Sequence, residues 1–292
     1  MKEFLSFTFG GISFGMIYAA IGLSLVLIWR ATRILNYAQG GMAMLSTFIA
    51  LTVIHATGSY WAGFAAALAA GLVIGAVVER VVIRPVENKP PLNAIIVTVG
   101  LLILFEGLAG IIYGGQYRSF PAALPVTGLR IGTTQLGLTR FDLFVTGSVL
   151  AAALLLGVLF RYTPAGLRMR AAAFHAEAAR LLGVRVGRVL TLGWALAGLI
   201  GALAGLLVSP STFLYPNSMD SIFVLGFTAA VLGGLDSPAG AVIGGLVLGI
   251  VLSYVGGYLG SDLVSIFGLA ALVTVLMIRP GGLLSVSSTR RV

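Results

Sequence analysis

Apolar residues in this chain gather into long runs free of charge, and several of these runs exceed the ~18 residues that mark a candidate membrane span. Reading each run as a helix places spans near 5–28, 37–54, 61–78, 94–113, 141–160, 190–208, 222–235, 239–258 and 263–278. The first follows Met1-Lys2-Glu3 and is longer than the 7–15-residue core of a signal peptide, so it is expected to stay as a permanent helix. The seventh holds about 14 residues. At ~1.5 Å per residue it covers ~21 Å, too little to cross a ~30 Å hydrocarbon core upright. A broken or re-entrant segment is expected there, and the pattern predicts an all-α polytopic membrane protein with about 8–9 transmembrane helices in a single domain, 1–292.

Two connections interrupt the pattern. Residues 114–140 carry Pro121, Pro125 and scattered glycines and read as an irregular external loop. Residues 161–189 carry six arginines and the only helical polar pattern in the chain. In that second loop, residues 168–183 are rich in strong helix formers and end on Gly183, a natural helix stop. Phe174, Ala178, Leu181 and Leu182 fall on one stripe, with Arg170, Glu177 and Arg180 elsewhere, so one short amphipathic surface helix is expected.

Composition agrees with the spans. Of the 292 residues 59% are apolar and 9% are charged, far below the roughly 25% charge of a soluble domain. The net charge of +9 would suggest nucleic acid in a soluble protein, but here it first asks which side of the bilayer is basic. With the N-terminus outside and nine alternating spans, fourteen Lys and Arg fall in inside segments and four outside. That asymmetry sets the orientation and removes the case for nucleic acid. No cysteine is present, and His55 and His175 form no metal-ligand motif, so no metal and no catalytic constellation is expected.

The basic loop also carries a spelling. Glu177-Ala178-Ala179-x-x-x-Gly183 matches the E-A-A-x-x-x-G core of the cytoplasmic loop in ABC importer permeases. Small alanines permit close docking, Glu177 offers a charge contact, and Gly183 allows a sharp turn. The alternative is an interfacial helix lying on anionic lipid. Further segments run in order along the chain. Gly22-Leu23-Ser24-Leu25 leads to Asn36-Tyr37-Ala38-Gln39-Gly40-Gly41, and Arg84-Pro85 is followed by Pro90-Pro91-Leu92 and Thr98-Val99-Gly100-Leu101. Phe227 to Gly240 spells F-T-A-A-V-L-G-G-L-D-S-P-A-G, and Arg279-Pro280-Gly281-Gly282-Leu283 closes the series. Together they resemble the LivH-type branched-chain amino acid permeases over essentially the whole chain. The chain departs from that pattern at Gln39 and Gly41, where the family has His and Glu, and at Asp236, where many members have Gly.

The resemblance implies an ABC importer permease fold in the bacterial cytoplasmic (inner) membrane, with no enzyme activity and no cofactor of its own. It implies a pore formed with a second permease subunit, LivM-like or a copy of this chain. Two ATPase subunits that bind ATP would dock on residues 161–189 through Arg170, Glu177, Ala178, Ala179 and Gly183, and a binding protein would deliver substrate outside. Branched-chain amino acids are the substrate implied. Amides, urea and other small polar solutes remain alternatives, as does a secondary transporter with Glu106 as its coupling acid.

Four polar residues within the spans or flanking a span's start are candidate pathway-lining groups: Asn36, Gln39, Thr98 and Glu106. A carboxylate at mid-helix costs roughly 2.5–3.5 kcal/mol on insertion scales, tolerable in a wet cavity or beside a partner. At helical spacing Glu106 shares a face with Thr98, Leu102, Gly110 and Tyr113. That face either lines the pathway or glues two helices. Asn36 and Gln39 either mark a broken helix on the route or cap a helix at the interface. Asp236-Ser237-Pro238 reads as a turn with Asp or Ser capping the next helix.

Overall fold

The computed structural model describes residues 2–87, 89–131, 134–279 and 281–283. Among them are eleven α-helices and one β-hairpin: α1 (Lys2–Thr32), α2 (Gln39–Thr57), α3 (Tyr60–Val77), α4 (Pro91–Tyr113), β1 (Gly128–Ile131), β2 (Thr134–Thr139), α5 (Arg140–Tyr162), α6 (Pro164–Phe174), α7 (Ala176–Leu181), α8 (Val186–Val208), α9 (Asp220–Gly233), α10 (Pro238–Tyr258) and α11 (Leu263–Ile278). Seven helices, α1 to α5 with α8 and α10, are long and apolar enough to cross a membrane. α9 and α11 are apolar but shorter, at 14 and 16 residues. The short seventh run is therefore a half-length helix, as its residue count required.

Helix ends follow local chemistry. Thr139 opens α5 with a capping box: its hydroxyl accepts from the Asp142 N–H at 3.0 Å, and the Asp142 carboxylate accepts from the Thr139 N–H at 2.9 Å. Ser237 opens α10 by accepting from the Gly240 N–H at 2.9 Å, with Pro238 at the first helical position. Serine thus caps this helix, and Asp236 instead pairs with Arg33 at the end of α1.

The core is built on α1 and α8, which are buried along most of their lengths. Glycine pairs set how closely the helices cross. A Cβ on Gly15 would stand 2.8 Å from the Gly245 carbonyl oxygen, and one on Gly249 would stand 2.2 Å from the Gly15 Cα. The α1–α10 crossing is therefore a backbone-to-backbone contact that only glycine permits. The same holds where Gly71 and Gly75 of α3 face Gly198 and Trp194 of α8. The small-xxx-small pairs in these helices serve packing within the chain. α4, α5 and α11 lie outside this core and turn rows of exposed Ile, Leu and Val outward.

Three contacts fix which ends lie on the same side. Arg118, after α4, bridges to Leu214, after α8. Arg33, after α1, meets Asp236, between α9 and α10. The Leu283 N–H donates to the Leu232 carbonyl at 2.8 Å, bringing the chain after α11 to the end of α9. These pairings agree with the alternation inferred from charge. The connection between α4 and α5 is more ordered than its composition suggested, because β1 and β2 form an antiparallel hairpin with Gly128 opposite Thr139. The hairpin rests on α1, where a Cβ on Gly137 would fall 2.5 Å from Ser6.

Candidate functional site

The basic loop 161–189 folds into two helices where the sequence pattern predicted one. His175 breaks the run in an extended conformation (φ −153°, ψ 96°) and its ring Nδ1 accepts from the Ala178 N–H at 3.2 Å. The histidine thus serves as the N-cap of α7, a role no glycine or proline advertised. α7 ends as expected: Gly183 takes φ +83°, the Gly183 N–H donates to the Arg180 carbonyl and the Val184 N–H to that of Ala179.

Ala179 is buried with Ala172, Val186 and Leu190, which seats α6 and α7 on the start of α8. Glu177 and Ala178 point outward, as does Arg170 on α6. Around them Phe174, Leu181 and Leu182 are 94%, 90% and 84% exposed. Water would not hold three large apolar side chains out without cost: at ~25 cal/mol per Å² each favours a covering surface. The loop therefore presents a small apolar tip edged by Arg170, Glu177 and Arg180.

Just behind this tip lies a cluster that sequence reading missed. After α3 the chain makes a π-helical stretch, Val78–Ile83, whose wider turn places Glu79 and Arg84 together. Glu79 is 1% exposed. The Arg84 guanidinium donates to it through Nε and Nη2 at 2.8–3.1 Å and also reaches the Gly187 carbonyl at 2.7 Å. The Thr191 hydroxyl donates to Glu79 at 2.6 Å. The end of α3 is thus tied to the first turn of α8, where the basic loop re-enters the bundle. An acid at the end of an uncharged run, five residues before an arginine, was the available signal.

Of the four candidate pathway residues, three converge on the α1–α2 connection. Asn36 donates to the Gln39 side-chain oxygen at 3.1 Å and accepts from the Ala38 N–H at 3.1 Å, closing residues 33–38 on themselves. Gln39 donates to the Ala197 carbonyl at 3.0 Å, ~16 Å along α8 from its start, so the beginning of α2 packs against the middle of α8. The irregular backbone there is enclosed by protein. The Thr98 hydroxyl, also buried, lies 3.4 Å from the Leu35 carbonyl on the same connection. Glu106 is two turns farther along α4 and half-buried, close enough to Asp220 and Asn217 at the start of α9 to interact with them electrostatically. Asp220 and Asn217 were not anticipated; both are exposed, beside the half-length helix. Among the described residues no group of three or more His, Cys, Asp or Glu could hold a metal ion.

A family profile described as "Branched-chain amino acid transport system / permease component" matches residues 7–277. The "High-affinity branched-chain amino acid transport system permease protein LivH" of Salmonella typhimurium is 28% identical over 96% of this chain and 95% of its own length. The "Xylose/arabinose import permease protein XylH" of Sulfolobus acidocaldarius is 34% identical over 51% of this chain and 40% of its own length. Among solved structures, "PsaBC from Streptococcus pneumoniae in complex with Fab" superposes with a TM-score of 0.53 at 14% identity, covering 95% of this chain and 91% of that one.

Proposed function

Because the chain belongs to the branched-chain amino acid transport system permease family, we propose that it is the membrane-spanning subunit through which an amino acid, branched-chain by preference, crosses the bacterial cytoplasmic membrane. The membership itself makes it a multi-pass permease component of an ABC importer. It is not catalytic itself, and such a permease works with separate ATPase and substrate-binding proteins. The finer reading adds a pore shared with a second permease subunit and two ATPase subunits seated on residues 161–189.

The observation that carries this reading is the exposed apolar tip of Phe174, Leu181 and Leu182 around Glu177-Ala178-Ala179 and Gly183. On this reading Phe174 and the leucines fill a groove on the ATPase, and Arg170 and Glu177 set the angle of docking. The buried Ala179 joins the tip rigidly to α8, so movement of the ATPase is passed to a helix in the core. The pathway runs along the face where Glu106 meets Asp220 and Asn217, with Thr98, Asn36 and Gln39 closing it at mid-membrane. Full-length identity of 28% to a branched-chain amino acid permease supports the amino-acid assignment.

The test uses Gly183→Val with Glu177→Ala. A β-branched residue at φ +83° is strained in any surroundings, so the turn after α7 must reorganise. The expected result is a loss of at least tenfold in ATPase co-purification and in ATP-driven uptake, with the permease still folded. Unchanged co-purification and uptake would sink the docking assignment. Uptake of leucine, isoleucine and valine, competed with urea, amides and pentoses, decides the substrate class.

A further inference from the structure

The inner half of the bundle holds a groove outside the pathway, and its mouth at Arg30 adjoins Arg170 at the edge of the loop tip. α1, α5 and α10 enclose about 480 Å³ between them, because α5 packs on α1 and barely reaches α10. Roughly 300–1,000 Å³ is the range of small-molecule pockets. Each wall is a single helical stripe. Ala153, Leu156, Gly157 and Phe160 of α5 follow the i, i+3, i+4, i+7 spacing of one helix face, Val242 and Ile243 of α10 face them, and Leu23 of α1 forms the floor. The stripe from Leu23 to Arg30 spans seven residues, so the groove is about 10 Å long.

Its chemistry changes abruptly at one end. Toward mid-membrane every lining group is apolar, while the cytoplasmic mouth is closed by Arg30, whose guanidinium stacks 5.6 Å from the Phe160 ring. Arg30 stands close enough to Arg33 and to Arg170 to be repelled by each, with Asp236 as a counter-charge already paired with Arg33. Arg30 and Arg170 also line one small cleft on the far side of Phe160. The mouth is therefore an anion site short of an anion, at the level where the inner leaflet carries its headgroups.

We propose that this groove holds an anionic phospholipid of the cytoplasmic leaflet, with its phosphate between Arg30 and Arg170 and one acyl chain along Leu156, Gly157 and Val242. Lipid fits better than a protein helix for two reasons. The groove is narrow and wholly apolar above its mouth, and its only charge is basic and lies at headgroup depth. Arg170 belongs to α6 in the docking loop, so the headgroup links the leaflet to the segment that meets the ATPase. Lipid composition would then tune coupling.

The experiment delipidates the purified full-length chain in detergent and measures retention of phosphatidylglycerol against phosphatidylcholine by native mass spectrometry. Wild type should retain phosphatidylglycerol at least tenfold better. Arg170→Gln, at an exposed position, should lower that preference roughly fivefold, the effect of about one basic residue near an anionic surface. Gly157→Trp should abolish retention of either lipid, since a Cβ there meets open space and the larger ring fills the groove without disturbing the core. Glycerol phosphate at millimolar concentration should fail to compete, because the acyl chain supplies much of the binding. Equal retention of both lipids by wild type would overturn the proposal, as would a preference unchanged in Arg170→Gln, or retention unchanged in Gly157→Trp. A photoreactive side chain at position 157 that cross-links to a second permease subunit in native membranes, and not to lipid, would overturn it too.

Discussion

Glu106 shows how far a single residue can be read. Its position inside an uncharged run made it expensive, and expense at membrane depth implies a partner or water. The partners, Asp220 and Asn217, come from a segment more than a hundred residues away, where the chain dips to begin α9. On the pathway reading, Glu106→Gln should change apparent substrate affinity or maximal uptake by about tenfold while leaving the amount of folded protein unaltered. Uptake kinetics and their pH profile in proteoliposomes check this, and identical curves for both proteins would remove Glu106 from the pathway. Asn36 and Gln39 behave otherwise. Both were legible as polar groups at the start of α2, but their mutual hydrogen bond and the hold of Gln39 on Ala197 depend on α8 lying alongside.

At the scale of elements, the packing of α3 on α8 is fixed by glycines and then locked by charge. The π-helical turn matters because an ordinary α-helical continuation would carry Arg84 round to a different side from Glu79. Breaking a buried pair leaves one charge uncompensated and costs about 3 kcal/mol or more, with the lower end expected here because the Arg84 side chain is one-third exposed. Glu79→Ala should therefore lower the thermal midpoint of the purified permease by several degrees. The double variant Glu79→Met with Arg84→Met should recover part of the loss, since it removes both charges. Equal stability of wild type and Glu79→Ala would show that the cluster does not hold α3 to α8. The span boundaries, the half-length of α9 and the stop at Gly183 were all readable in advance. The break at His175 was not, because it rests on a side-chain nitrogen capping a helix only when the local backbone is already extended. The hairpin in residues 114–140 was likewise hidden: its pairing needs α1 as a floor, and its sequence is rich in turn-forming residues.

For the whole molecule, the contacts between loops set which ends share a side, and the distribution of basic residues predicts that the side of Arg33 and Asp236 is the cytoplasmic one. The chain has no cysteine, so single introduced thiols report on it cleanly. A membrane-impermeant maleimide should label Gly115→Cys in intact cells and Leu182→Cys only after the membrane is opened. The reverse pattern would invert the topology. Residue order along single segments is enough to specify a polytopic helical membrane protein, to show which loop is basic, and to carry the motifs of the family. Those features are set by transfer free energy and local conformation, which act on each segment alone. The three-dimensional packing adds that the glycine pairs cross within the chain, that Glu79 and Arg84 lock α3 to α8, and that Glu106 lies near Asp220. It alone left a groove between α1, α5 and α10 with arginine at its mouth. These features need two or more helices in a particular order around α1 and α8, and a pattern along one segment carries no record of which neighbour will cover it.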